Sequence, residues 1–473
     1  MKPWLLACAA LLAAGEPYVP PKPLPAAPLA DFTAQQAFDE ARTAAGAGAW
    51  ADALRRIEVV QADHRGGLIP LRDGRHLGAA LVLDALCAEF PDLDRAWLAA
   101  ATPRAQRALD DAHDRSAVAA IVRAYPRTVP AAEAALRLAR SALTAGRPAE
   151  AAGWLDETAA LPAERSAALR TAVARARSVD PAATAPPASW RATALMAERW
   201  QGFAPPTPVA DGWAVANADT LWLLAADGAL RWSSAIMVPA LAPTRWQPLC
   251  EPHWLRPAPA AADGLVAAVV RRRDPAARRT DGWTLVVHDV ADGRLRWSLE
   301  GHDAWADLDP ISAPALRDGL AAVVCLRRGL RPDLVVVACD ARQGTPLWTA
   351  YLHPFDSAPW PIEVPRRRGD PTLTGPGMGM AAPLIADGAV WLAAEHGQAA
   401  CLSAADGAVR WLSPYARTLS ADPGALAPVR VAARSDDRLI AFPRDAAAPI
   451  ARKIIAAHLG VKVDEVQVGR ADD

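Results

Sequence analysis

Several things are scarce in this chain, and each scarcity excludes something. Only four of its 51 lysine and arginine residues are lysine (Lys2, Lys22, Lys453, Lys462), and 52 acidic residues bring the net charge to −1. Nucleic-acid binding calls for a strongly basic face, and this balance provides no such surplus. The arginine bias accompanies abundant alanine and reads as a GC-rich genome, so arginine runs carry little functional weight. There is one asparagine, Asn217, and the six cysteines stand far apart with no CxxC and no adjacent pair. No HExxH, GxSxG or GxxxxGK[ST] pattern occurs, which removes zincin, hydrolase-elbow and P-loop chemistry.

What is present begins at the amino terminus. Residues 1–15, MKPWLLACAALLAAG, hold one lysine, an apolar run and small residues, the layout of a secretory signal peptide. The run is too short for a bilayer, which needs roughly 20 apolar residues. A disordered apolar end is the alternative. Leu5–Cys8 also resembles a lipoprotein lipobox, placed early unless the true start lies upstream. Residues 16–30 are a proline-rich linker. Export to the periplasm or cell envelope, with or without a lipid anchor, is the expected location.

At 473 residues the chain exceeds one ordinary core, so two or three domains are expected. Residues 31–185 are rich in Ala, Leu and Arg, with few β-branched residues, which suits packed helices. Trp50, Ala53, Leu54 and Ile57 share one helical face. Leu136, Ala139 and Leu143 line another helix, which Gly146 closes before Pro148 opens the next. Such paired helices resemble tetratricopeptide units, with two copies at 34–62 and 131–162; an unrepeated bundle is the alternative.

Residues 186–445 follow a different grammar. Asp-Gly recurs at 211–212, 263–264, 318–319 and 387–388, and a second glycine turn ends each unit four residues before a tryptophan. Those pairs are Gly228 with Trp232, Gly293 with Trp297, Gly344 with Trp348 and Gly407 with Trp411. Asp-Gly between apolar runs predicts hairpins, so each unit reads as a four-stranded blade. Blades repeating about every 50–65 residues predict a β-propeller in which the glycines and tryptophans dock one blade on the next. A fifth unit, 429–445, lacks both residues, so about four to five blades are recognisable. Residues 446–473 read as a helical tail without assigned function.

The repeated CLSAADGAVRW (401–411) and its partners resemble the tryptophan-docking repeat of pyrroloquinoline quinone (PQQ) dehydrogenase-type propellers. That family also includes a non-catalytic outer-membrane assembly scaffold. The resemblance implies an α + β multidomain chain: a helical, tetratricopeptide-like module followed by a PQQ-type β-propeller, which with so few recognisable blades is a truncated array, an unusually small ring or an open one. The expected function is a non-catalytic binding or assembly scaffold of the cell envelope; the alternative is a PQQ-dependent dehydrogenase-like oxidoreductase. Such an enzyme needs an aromatic floor, cations for the quinone carboxylates, and Ca²⁺ on hard oxygen ligands. With one asparagine and no adjacent cysteines, no catalytic, cofactor-binding or metal residue can be assigned, and no cofactor is expected.

Smaller motifs have bland readings. GPGMGM (375–380) reads as a flexible turn. Glu300, His302, Asp303, Asp307 and Asp309 read as a solvated acidic loop, and His288 as a core or edge histidine. Pairing 320–327 with 334–340 places Cys325 and Cys339 on opposite faces, hence free core cysteines. Both glycine turns of a blade are tight, so the long segments crowd the opposite face. That face would offer Trp246, His253, Trp254, His302, Trp305, His353 and Trp360 to protein or glycan partners, unless the tryptophans merely plug their loops.

Overall fold

The computed structural model describes residues 32–63, 67–71, 76–177, 206–216, 220–235, 238–239, 258–273, 280–299, 305, 307–327, 333–354, 382–394, 398–414, 430–435 and 438–442. The expected signal segment, proline-rich linker and carboxy-terminal helix lie outside these residues.

Eight described helices come first: α1 (Phe32–Gly46), α2 (Trp50–Asp63), α3 (Val82–Glu89), α4 (Pro91–Asp110), α5 (Arg115–Ala124), α6 (Val129–Thr144), α7 (Pro148–Asp156) and α8 (Ala163–Ala176). Ala53, Leu54 and Ile57 are buried, as their spacing requires. The Asp114 carboxylate accepts from Ala117 N (2.8 Å) to cap α5, and Thr128 Oγ1 accepts from Ala131 N (3.3 Å) to cap α6. Hairpins α1–α2 and α6–α7 turn alike. Gly48 and Gly146 take φ of 73° and 76°, and the next amide bonds back to the helix: Ala49 N to Ala44 O, Arg147 N to Ala142 O, both 2.9 Å. One apolar cluster joins α1 to α4, and another joins α4 to α8.

Within this helical stretch the chain also forms an antiparallel pair that the composition hides, β1 (Leu68–Pro70) and β2 (His76–Gly78). Three-residue strands are too short to show a period.

Four antiparallel blades follow. Blade 1 is β3 (Thr207–Val209), β4 (Gly212–Ala216), β5 (Thr220–Ala225) and β6 (Leu230–Ala235). Blade 2 is β8 (Ala260–Ala262), β9 (Leu265–Arg273), β10 (Thr280–Asp289) and β11 (Leu295–Ser298), with β7 (Val238–Pro239) lying parallel to β9. Blade 3 is β13 (Ala315–Arg317), β14 (Leu320–Arg327), β15 (Asp333–Asp340) and β16 (Pro346–Pro354), with β12 (Leu308–Pro310) also on β14. Blade 4 is β17 (Leu384–Ala386), β18 (Ala389–Ala394), β19 (Gln398–Ser403) and β20 (Val409–Pro414). The fifth unit appears as one hairpin, β21 (Arg430–Ser435) with β22 (Arg438–Phe442).

Asp263-Gly264, Asp318-Gly319 and Asp387-Gly388 all have positive φ at both residues (46–76°), the geometry that matches the twist of a hairpin. Each blade also carries a register shift between its third and fourth strands, just before the second turn. Apolar clusters bridge blade 1 to 2, 2 to 3 and 3 to 4, so each blade buries a face against its neighbour. The helices and blades meet through β2, which pairs with β20 (Leu77 opposite Trp411) and extends blade 4 to six strands.

One expectation is corrected. Cys325 lies opposite Val335 and Cys339 opposite Ala321, which puts both side chains on the same face, in the cluster between blades 2 and 3. They do not bridge because four residues of strand, roughly 13 Å, separate them along the ladder. Cys87, Cys325, Cys339 and Cys401 are buried thiols, and burial pushes the Cys87 thiol up to about 12. In a Cys8→Ser, Cys250→Ser protein, these four thiols should therefore ignore a thiol reagent in buffer and all react in denaturant. Any thiol titrating rapidly in buffer contradicts that burial.

Candidate functional site

Three tryptophans link the blades in series. The Trp232 indole lies on Gly293 of the next blade, Trp297 on Gly344 and Trp348 on Gly407. A Cβ on these glycines would stand 2.7, 2.5 and 2.5 Å from the rings. Each indole N–H donates to a carbonyl just ahead of that glycine: Val290 (2.8 Å), Ala341 (2.9 Å) and Ala404 (3.0 Å). The glycines have φ of 70–73°, so the turn excludes a side chain twice, by backbone conformation and by the indole above it. Gly228 holds the same turn position in blade 1, with φ of 88°. Trp411 instead meets Trp391 edge-on, with centroids 5.9 Å apart.

All these turns open on one face of the blades, and over blades 3 and 4 the helices cover it. The Gly146 carbonyl and Arg147 Cα press on Gly319, leaving no room there for a Cβ, and Ala149 N donates to Asp318 O (3.2 Å). Helix α7 crosses blade 4 backbone to backbone: a Cβ on Gly388 would lie 2.6 Å from Gly153 N. Arginines of the helical module meet turn aspartates. Arg147 Nη1 donates to Asp340 Oδ2 (2.9 Å), Arg177 Nη1 to Asp387 Oδ1 (2.6 Å) and Arg123 Nε to Asp406 Oδ2 (3.1 Å). Arg410 of blade 4 reaches back to Asp156 (2.8 Å).

The centre of this contact is buried. Glu150, fully buried, accepts from Arg147 Nε (2.6 Å), Trp154 Nε1 (3.0 Å) and Arg115. Asp340 divides its labour: Oδ1 caps its own turn through Arg342 N and Gln343 N, and Oδ2 takes Arg147. Burial works against the Arg147 charge, but Glu150 and Asp340 outweigh it and raise the guanidinium above its ordinary value. His288 is buried and stacks on Trp232, with Nδ1 2.9 Å from Gly293 O. Burial lowers both His288 and His76 below the ordinary 6.5.

The long-loop residues fare differently. Trp246, His253, Trp254, His302 and Trp360 lie outside the described residues; His353 sits in β16 opposite Leu334. Trp305 is a correction: it is 2% exposed and its Nε1 donates to Thr349 Oγ1 (3.2 Å), so it fills the space between blades 2 and 3 and offers no contact surface. In the acidic stretch Asp309 is buried and Asp307 pairs with Arg327. Among the described residues no three His, Cys, Asp or Glu side chains gather where they could hold a metal ion. Nor is any described helix long and apolar enough to cross a membrane. Sequence reasoning missed the helix-to-turn interface, whose one visible signal was Gly146-Arg147-Pro148 in the turn of a helical hairpin.

Comparison with known proteins adds the following. The family described as outer membrane protein assembly factor BamB matches residues 332–448, about a quarter of the chain. No curated protein matches the sequence. Among solved structures, BamB from Moraxella catarrhalis is similar at 15% identity and TM-score 0.27, over 44% of this chain and 47% of that one. A quinohemoprotein alcohol dehydrogenase from Pseudomonas putida HK5 gives 15% and 0.27, over 44% and 33%. A europium-containing methanol dehydrogenase gives 20% and 0.23, over 31% and 24%. The chain thus spans less than half the length of each.

Three outcomes follow from the geometry. Gly344→Ala should cost about 2 kcal/mol or more in urea unfolding, since it forces a side chain into a left-handed position under the Trp297 ring. Arg147→Met leaves buried Asp340 without its guanidinium and Glu150 with Arg115 as its only cation, and should cost about 3–5 kcal/mol, whereas Arg55→Met, at an exposed pair, should change stability by less than about 1 kcal/mol. Because burial depresses the two histidines, the unfolded chain binds more protons than the folded one below about pH 6.5. Stability should fall as the pH drops from there, and His288→Leu should make that fall shallower; an unchanged slope would contradict the assignment.

Proposed function

We propose that the chain is a non-catalytic binding or assembly scaffold of the cell envelope, working as one body of helices and blades. The observation that carries this reading is the covered turn face. There the charged groups of blades 3 and 4 are committed to the helical module through Arg147–Asp340, Arg177–Asp387 and Arg123–Asp406. Over blades 3 and 4 a module fixed in this way leaves partners the opposite ends of the strands, the side on which the longer segments 240–257 and 355–381 begin. Trp246, Trp254 and Trp360, with His253, His302 and His353, are the proposed contacts for protein partners on that side. Support comes also from the family match over 332–448, whose description is that of an outer-membrane assembly factor. The envelope location rests on that match and on the apolar amino-terminal segment.

Titrating the mature protein with PQQ, with and without Ca²⁺, tests the reading against its quinoprotein rival. Eighteen tryptophans make quenching by a bound quinone visible once its own absorbance is subtracted. The scaffold reading expects no saturable quenching from a protein shown to be folded. Saturable, Ca²⁺-dependent binding at about micromolar or tighter, a free energy near −8 kcal/mol, would replace it with an oxidoreductase.

A further inference from the structure

The three docking tryptophans rest on floors of different chemistry. His288, Cys339 and Leu402 hold the same place in blades 2, 3 and 4. Each stands five residues before the docking glycine and directly opposite the second residue past the Asp-Gly turn, Val266, Ala321 and Val390. Cys339 lies in one apolar cluster with Trp297, and Leu402 lies in another with Trp348. Blade 2 has an imidazole there instead. Its ring is 1% exposed and stacks on Trp232, with centroids 6.4 Å apart and planes 23° from parallel. Nδ1 lies 2.9 Å from Gly293 O, and a carbonyl can only accept, so the neutral ring carries its proton on Nδ1. Nε2 is then a bare acceptor, buried and without a hydrogen-bond partner among the described residues.

We infer that the joint between blades 1 and 2 is an acid-sensitive latch, released when a proton on His288 Nε2 unseats Trp232 from Gly293. That proton arrives in an apolar contact. Blade 1 turns Val209, Ala214, Leu221, Leu223 and Trp232 towards it, none of them charged. Across the ladder stand Val266 on β9 and Leu295 on β11. Asp289, the next residue of β10, is the acidic group whose charge reaches the imidazole. Its side chain leaves the opposite face of the strand and is engaged by Arg296 (2.6 Å), and burial outweighs its pull. Asp292 and Arg294 of the turn are exposed to water, as is Arg231, which points away from Trp232 on β6. A charge placed here gains no partner and loses its hydration, which opposes the closed stack. The second depressed histidine, His76, lies opposite Leu412 of blade 4 and acts on a different seam.

The direction follows from linkage. An imidazole freed by opening returns to its ordinary 6.5, above its value in the closed joint. The open form therefore binds the proton more tightly, and opening becomes easier as the pH falls below about 6.5. Blades 3 and 4 are braced by Arg147, Arg177 and Arg123, and their floors, Cys339 and Leu402, take up no proton in this range. The response is thus confined to the first joint. This latch goes beyond the scaffold reading and does not rest on it.

The seated Trp232 indole N–H is bonded to Val290 O, so its hydrogen exchange reports the latch directly. The test is NMR of the full-length protein labelled with ¹⁵N in its indoles, with Trp232, Trp297 and Trp348 assigned through Trp→Phe variants. Exchange is measured at about pH 7.5 and about pH 5 and corrected by the rates of a free indole at each pH. Protection of Trp232 should fall about tenfold at the lower pH, while Trp297 and Trp348 keep theirs. His288→Leu and His288→Cys install the floors that blades 4 and 3 already use, and both should hold Trp232 at its higher protection. Equal protection of Trp232 at both pH values overturns the inference. So does a loss that persists in both variants, or one shared equally by Trp297 and Trp348, since opening would then be global.

Discussion

Everything in the blade array depends on a tryptophan lying on a glycine that belongs to the next blade. The contact works only if that glycine has no side chain and a left-handed backbone, and Gly293, Gly344 and Gly407 have both. The bulge ahead of the turn in blades 1, 2 and 3 aims the following strand so that its tryptophan reaches over the turn of the next blade. The indole N–H then fixes the distance by donating to the turn's own carbonyl. A single four-stranded sheet cannot bury both faces in water, and stacking through these pegs resolves that. It also leaves one end of the array as a surface of short turns built from Asp, Gly and Ala, low enough for helices to approach closely.

That surface explains where the helices sit. Glycines at Gly153 and Gly388 let backbone meet backbone, and the arginines provide direction. A buried ion cluster such as Arg147, Glu150 and Asp340 is weak as a net stabiliser, because desolvation consumes most of the attraction. Its effect is to make any misplaced docking costly, since each charge is satisfied in one arrangement. The β1–β2 hairpin gives a second, independent tie. It covers the outer edge of blade 4, where an unpaired strand would invite association with another chain.

Much of this was legible in the sequence, for identifiable reasons. The Asp-Gly turns, the glycine four residues before each tryptophan and the four blades are local patterns, and local chemistry fixes them. The α6–α7 hairpin was legible because Gly146 and Pro148 punctuate it. The hairpin at 68–78 was not, since it is held by a partner strand more than 300 residues away. The face of Cys339 was misjudged because the pairing offset was unknown, and one residue of offset reverses every side chain. Trp305 lies between strands in the sequence, which suggests the surface, yet its indole is buried in the cluster between blades 2 and 3. Ion pairs such as Arg147–Asp340 join residues with no shared motif, and only the folded chain brings them together.

The central claim is that helices and blades form one cooperative body. Native-state hydrogen exchange, read by mass spectrometry across a series of low urea concentrations, tests it most directly. The slowest amides of α6 and α7 and those of β14 and β15 should open with the same free energy and the same urea dependence, because the docked module cannot leave without exposing the cluster around Arg147. Helical amides that open at distinctly lower free energy, while the blade amides stay protected, would show two separate bodies and contradict the account.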